Sequence, residues 1–266
     1  TNGPFNLEAI YALNYLVGSV GAKGGIRFNP NSPLDEAPAA GETATLSQWR
    51  TEVDSLRTGA TKLLLLHQAD PVHGLPASLG LKDAIAGASD LFIVSFSPFL
   101  DETSIMADLV LPDRVYLEDW GTDIPEPGPG YEVVGFQQPV VNPLHELDPR
   151  SFPDLLLNVA QELGKDASLP WPSYQQMLKE SSDALFALNR GSIQAASSGE
   201  FWTRLLQRGG WWDEGTAGPG AINAKQGLLG GIADKAAEPQ FPGKGLGAGT
   251  FYLTPFAHNT LLDGRH

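Results

Sequence analysis

Two short polar stretches hold the side chains best suited to chemistry. The first, His67-Gln68-Ala69-Asp70-Pro71, offers an imidazole, an amide and a carboxylate almost in a row. The second runs Ser95-Phe96-Ser97-Pro98-Phe99-Leu100-Asp101-Glu102-Thr103 and continues into Ser104. It supplies hydroxyls from Ser95, Ser97, Thr103 and Ser104, and carboxylates from Asp101 and Glu102. Hydroxyls and backbone N–H groups near a helix start suit a pyrophosphate. A carboxylate suits a ribose diol or a guanine edge, because both present donors. Each stretch follows a short apolar run, Leu63-Leu64-Leu65-Leu66 or Leu91-Phe92-Ile93-Val94. In an open parallel sheet, ligands bind beyond the carboxyl ends of the strands. The two stretches therefore read as a nucleotide-type crevice.

The same residues have plainer readings. Asp70-Pro71 is turn chemistry. Asp101 or Thr103 caps a turn at Ser104–Ala107. His67 is a satisfied sheet-edge histidine, Asp108 caps a turn or pairs with Arg114, and Glu118 and Asp119 are surface charge. Trp171, Trp211 and Trp212 read as core or interface packing ahead of substrate stacking.

The surrounding pattern says which elements position these loops. Leu7–Val17 reads as a helix with Ile10, Leu13 and Val17 on one face. Gly18 and the run Gly21-Ala22-Lys23-Gly24-Gly25 form a turn, and 29–41 is a Pro-rich loop. Thr45-Leu46-Ser47-Gln48 is a capping box that opens a helix closed by Gly59. Lys62–Leu66 lacks alternation, as in a strand buried on both faces. A helix around Leu79–Ile85 and a strand Leu91–Val94 complete a β-α-β unit. Leu109–Leu111 reads as a third strand ended by Pro112, and Tyr131–Phe136 as a fourth. Ser151-Phe152-Pro153-Asp154 is a second capping box, opening a helix through Leu163.

Beyond this the composition shifts. Leu169–Pro172 is a rigid linker, and helices follow from Ser173 to about Leu188 and from Ser197 to Arg208. Residues 215–249, rich in Gly, Ala and Pro, read as a long loop. Thr250–Pro255 reads as a strand opening a new element. The fold expected is α/β: a Rossmann-like domain over 1–166 with a mainly parallel sheet flanked by helices, an irregular helical and Gly/Pro-rich extension over 167–249, and the start of a further domain over 250–266.

Composition narrows the function. The 266 residues are 42% hydrophobic and carry a net charge of -14. A core is within reach of such a chain, whereas phosphate-backbone binding needs clustered Lys and Arg, so no nucleic-acid partner is expected. With no cysteine, these residues make no disulfide and ligate no iron–sulfur cluster. The 5 histidines show no metal-ligand spacing, so no metal site is expected. No apolar run approaches the ~20 residues of a membrane span, and no signal peptide is visible. The chain starts without Met at a helix entry and stops just after an apparent strand, so it reads as a piece of a longer polypeptide. The glycines at 18, 21, 24 and 25 do not make a Gly-x-Gly-x-x-Gly fingerprint. Neither a phosphate-binding P-loop nor a Gly-x-Ser-x-Gly elbow occurs.

Several of these words together resemble the molybdopterin oxidoreductase superfamily of the dimethyl sulfoxide reductase type. Ala12–Gly25 is similar to that family's "ALNALxGNxGKxGG". Asp101-Glu102-Thr103 with Ala107–Pro112 and Leu117-Glu118 is similar to its "TETAxxADVVLPxxxxLE". His67–Pro71 stands where the family carries "GxNP", and Tyr252–Arg265 resembles the opening of its C-terminal cap domain. The likeness is greatest to the branch of polysulfide and tetrathionate reductases, and extends to the molybdopterin-like subunits of alternative complex III and of a periplasmic quinone reductase complex.

The resemblance implies the following. In catalytic members this domain holds half of a bis(molybdopterin guanine dinucleotide) cofactor, and its strand-end loops contact guanosine and pyrophosphate. By position, Gln68, Asp70, Ser95, Glu102 and Thr103 would be the cofactor-binding residues; Asp108 and Glu118 fall on family motifs as well. The metal ligand and the Cys-rich region lie outside this chain, so no catalytic residue is assigned and the chain alone is expected to be inactive. The usual Asn before Pro is Asp70 here, a negative charge near where phosphates would sit. Some relatives keep the fold and bind no molybdenum. Two readings follow. One is a cofactor-free scaffold in a quinol-oxidising respiratory complex. The other is a cofactor-binding part of a catalytic molybdenum enzyme. Either implies as partners the rest of its own polypeptide and iron–sulfur, cytochrome or membrane subunits, on the periplasmic side of the membrane.

Overall fold

The computed structural model describes residues 3–28, 30–34, 44–125, 128–165 and 167–216. Two compact units divide the chain. One gathers the described residues of Thr1–Pro33, Ile124–Val134 and Trp212–His266; the other gathers those of Leu34–Asp123 and Gly135–Trp211.

Within the first unit, helix α1 spans Gly3–Leu16. Its expected face stays open: Ile10, Leu13 and Val17 are all exposed. In the second unit, α2 (Leu46–Thr58) begins with the expected capping box. Gln48 N–H donates to Thr45 Oγ1 at 3.3 Å, and Thr45 N–H donates to Gln48 Oε1 at 2.7 Å. Gly59 ends the helix at φ 69°, the left-handed conformation that glycine takes without a Cβ clash.

Strands β1 (Leu63–His67), β2 (Phe92–Phe96) and β3 (Leu109–Leu111) form a parallel sheet in that order. Between β1 and β2 lie the one-turn helix α3 (Pro71–Gly74), a 3₁₀ turn (Ala77–Leu79) and helix α4 (Leu81–Gly87). Gly80, at φ 70°, separates that turn from α4, so the single helix expected at Leu79–Ile85 is two pieces. The core of this layer joins α2, α4 and the sheet through Val53, Leu56, Leu66, Leu81, Ala84, Ile85 and Ile93. Each fully buried Leu, Ile or Val here contributes about 1.5–3 kcal/mol. The chain is thus mixed α/β, with a parallel three-stranded sheet flanked by helices.

Burial of β1 on both faces is not observed. Leu66 is 7% exposed, whereas Leu63 and Leu65 are 54% and 53% exposed. Helices cover the Leu66 side; on the other side Leu63 and Leu65 stay open, while His67 and Phe96 at the strand ends pack on Phe152. A run of leucines states that a strand is apolar but not which of its faces finds a partner.

The strand expected at Tyr131–Phe136 is β5 (Glu132–Gln137), and it belongs to a separate sheet. It pairs antiparallel with β4 (Gly121–Asp123), in a sheet ordered β4-β5-β6 with β6 at Gly210–Asp213. The connection from β4 is short enough for a hairpin, which parallel pairing forbids.

Helices α5 (Phe152–Glu162), α6 (Tyr174–Ala187) and α7 (Ser198–Arg208) follow. Ser173 and Ser197 cap α6 and α7, accepting from Gln176 N–H at 3.2 Å and Glu200 N–H at 3.3 Å. The capping box expected at Ser151 does not form. Pro153, the second residue of α5, has no N–H to offer, and Ser151 Oγ makes no bond to the third, that of Asp154. Leu178, Leu185, Phe201, Leu205 and Trp211 are almost fully buried. The expected core role of Trp211 holds: its indole N–H donates to Arg190 O at 3.1 Å. Most of the expected Gly-rich loop, and the strand at Thr250–Pro255, lie outside the described residues.

Candidate functional site

The parallel register places the ends of β1 and β2 side by side, with Leu66 opposite Ser95 and His67 opposite Phe96. Gln68 N–H extends the ladder, donating to Phe96 O at 2.8 Å. The two polar stretches therefore leave the sheet at one rim.

A buried carboxylate ties them together. Asp70, 3% exposed, caps α3 and accepts His73 N–H at 3.3 Å on Oδ1. The same oxygen accepts Thr103 N–H at 3.2 Å and Thr103 Oγ1–H at 2.5 Å. Thr103, 0% exposed, accepts Val72 N–H at 3.0 Å in return. Asp70 is thus both turn cap and latch, and Thr103 is its partner. Two further expected site residues turn out differently from each other. Ser95, 1% exposed, shares a 2.9 Å hydrogen bond with buried Ser104. Glu102 is exposed, with Oε1 3.7 Å from His73 Nδ1. Asp101 caps the following turn by accepting Ser104 N–H at 2.8 Å.

Gln68 sits at φ 47°, a left-handed conformation uncommon outside glycine. Its amide explains the conformation: Nε2 donates to Asp113 Oδ2 at 2.7 Å. His67 Nε2 meets the same oxygen at 2.8 Å, and its ring stacks on Phe152 with centroids 3.9 Å apart. The other oxygen of Asp113 accepts Arg114 N–H at 3.0 Å and Phe152 N–H at 3.2 Å. Asp113, buried just beyond β3, thereby joins the rim to the start of α5. Sequence reasoning missed it because its partners lie 45 and 39 residues away; the one local hint is a carboxylate directly after the strand-ending Pro112.

The two motif carboxylates brace loops. Asp108 Oδ2 accepts Ile93 N–H at 2.8 Å. Glu118 accepts Val115 N–H at 3.2 Å and Leu144 N–H at 3.0 Å. Arg114 pairs with Asp119, at 3.6 Å, in place of Asp108.

Asp70, His73 and Glu102 each bring one ligand-type atom to within 4.8 Å of the others. Sequence spacing did not show this group because two loops contribute to it. Two of its members are exposed.

For a dinucleotide the rim is a poor fit. A pyrophosphate needs backbone N–H groups, cations or free hydroxyls. Neither Gln68–Asp70 nor Ser97–Thr103 contains a Lys, an Arg or a Gly. The rim carries the carboxylates Asp70, Asp101 and Glu102, while the hydroxyls of Ser95 and Thr103 are bonded inside the protein. Like charges a few ångströms apart repel strongly when water is displaced.

No family model matches this chain. Over 177 residues, 65% of its length, the chain is 33% identical to the menaquinone reductase, molybdopterin-binding-like subunit, of Nitratidesulfovibrio vulgaris strain Hildenborough. The chain spans 25% of that protein's length. The likeness supports a relation to the molybdopterin oxidoreductases without separating the branches among them.

Proposed function

We propose that this chain is part of a molybdopterin oxidoreductase-like subunit in a membrane-associated, quinone-linked respiratory complex, and that it serves there as a scaffold without the pterin cofactor. The complex would be of the quinol-oxidising alternative complex III type. The relative's name, a molybdopterin-binding-like subunit of a menaquinone reductase, supports the quinone link. The partners would be the rest of its own polypeptide and iron–sulfur, cytochrome or membrane subunits, at the periplasmic face. No described helix is long and apolar enough to cross a membrane, so attachment would run through those partners. Residues 1–166 would be the dinucleotide-binding-type domain, followed by an extension over 167–249 and a cap-domain start over 250–266.

The observation that carries the scaffold reading is the chemistry of the rim. Asp70, which replaces the expected Asn, is buried and fastened through Oδ1 to Thr103. A second reading, the cofactor-binding part of a catalytic molybdenum enzyme, draws support from one fact. Gln68, Asp70, Ser95, Glu102 and Thr103 all lie at the ends of adjacent parallel strands. On that reading Gln68 and Glu102 would face guanosine, Asp70, Ser95 and Thr103 would shape the loops, and the bound group would supply two-electron chemistry at molybdenum.

Affinity purification of the full-length protein from detergent-solubilised membranes tests the assembly. Recovery with a quinone-reactive membrane subunit and electron-transfer subunits is expected. Recovery as a lone soluble protein would overturn the proposal.

A further inference from the structure

A cavity of about 400 Å³ opens at the start of α5, away from the loops after β1 and β2 in sequence. Arg114, Arg150, Ser151, Asp154 and Asn158 line it, with Leu155 and Pro172 as apolar wall. Three observations point to a ligand.

The first is charge. Two guanidinium groups and one carboxylate line the cavity, so the lining itself is net cationic in a chain of net charge -14. Arg114 is anchored: Nε–H donates to Pro149 O at 3.4 Å and Nη1 lies 3.6 Å from Asp119. Arg150 is 70% exposed and meets Asp148 at 2.8 Å. A guanidinium has five N–H donors, so these contacts leave each arginine able to bind further acceptors.

The second is Ser151. It is 3% exposed, lines the cavity, and its Oγ has no hydrogen-bond partner among the described residues. A buried hydroxyl without a partner is uncommon and calls for an explanation. The bond that Ser173 and Ser197 make to the third N–H of their helices is not made here.

The third is the helix itself. α5 is 11 residues long, and the positive end of its dipole lies at Ser151. Asp154, in its first turn and lining the cavity, commits one oxygen to the protein: Oδ1 accepts Tyr174 N–H at 2.6 Å.

We propose that this cavity binds a small oxyanion, carboxylate or phosphate, carried on a body with hydroxyl or amine groups. Arg114, Arg150 and Ser151 take the oxyanion, while the Asn158 amide and the remaining Asp154 oxygen take the donors. Small-molecule sites combine an apolar wall with a few converging polar groups in this manner, at volumes of about 300–1,000 Å³. This site does not depend on the function proposed above.

Isothermal titration of the full-length protein with glycerol 3-phosphate, in buffer free of phosphate and sulfate, tests it, with glycerol as the neutral control. Saturable one-to-one binding of glycerol 3-phosphate and none of glycerol are expected. Arg150→Gln, at an exposed position, should weaken binding about tenfold, the scale of one charge-assisted contact. Ser151→Ala should weaken it about threefold without lowering the melting temperature, since the hydroxyl makes no bond within the protein. Absence of saturation by about 10 mM ligand, or equal affinity in wild type and both variants, would overturn the proposal.

Discussion

Thr103 Oγ1 donates to Asp70 Oδ1 across 2.5 Å, and neither side chain reaches solvent. This bond joins the loop after β1 to the loop after β2, and it decides what the rim can offer. A carboxylate that the sequence presents as a ligand contact is, in the fold, the fastening of two loops.

Replacing Thr103 with Val keeps the volume and removes both the donor to Asp70 and the acceptor of Val72 N–H. The buried carboxylate then loses a charge-assisted bond, so a loss of about 2–3 kcal/mol is expected in urea unfolding. Glu102→Gln, on the exposed neighbour, should change stability by less than about 0.5 kcal/mol. Equal effects of the two substitutions would show that the latch is not buried as described.

Asp113 accepts from His67, Gln68, Arg114 and Phe152. Asp113→Ala leaves two backbone N–H groups and the strained Gln68 turn without their acceptor. A loss of about 3 kcal/mol or more is expected. Hydrogen exchange should accelerate in α5 and at Gln68 together; acceleration at only one of them would contradict the bridging role.

Gly191 lies at φ 90°, and a Cβ there would come within 2.4 Å of the Trp211 ring. Gly191→Ala therefore combines a disfavoured backbone with overpacking, for a cost of about 3 kcal/mol or more. Tryptophan fluorescence should shift to the red as the buried indole is displaced. An alanine variant as stable as wild type would rule out this packing.

Burial, and then the Asp119 carboxylate, hold the Tyr174 phenol above its ordinary pKa of 10.0. The folded state therefore keeps that proton more tightly than the unfolded chain. The corresponding stability is complete below pH 10 and is lost as pH rises from there through the folded-state value. Denaturation midpoints of wild type should fall relative to Tyr174→Phe above pH 10. Parallel curves for the two proteins would refute the shift.

The legible parts of the fold are those set by local chemistry. Thr45, Ser173 and Ser197 cap their helices because each cap needs only residues within one turn. Ser151 shows the limit of that logic: the pattern is present, yet its hydroxyl makes no cap bond. The apolar runs of β1 and β2, and the rim they create, were equally visible. Three-residue β4 was not, because Gly121-Thr122-Asp123 has almost no strand signal of its own. The site divides in the same way. Gln68, Asp70, Ser95, Glu102 and Thr103 could be placed on the rim from strand ends alone. That Thr103 would turn inward to Asp70, 33 residues away, and that Asp113 would gather the third strand and α5, depends on packing that no local pattern encodes.

The account turns on a rim whose two loops, Gln68–Asp70 and Ser97–Thr103, contain three carboxylates and no Lys or Arg. Metal and pterin analysis of the full-length protein, purified with its partner subunits, tests this most directly. The account predicts molybdenum far below one equivalent and no fluorescent pterin after oxidation. One molybdenum and two pterins per polypeptide, as a bis-pterin cofactor requires, would contradict it and establish the catalytic reading in its place.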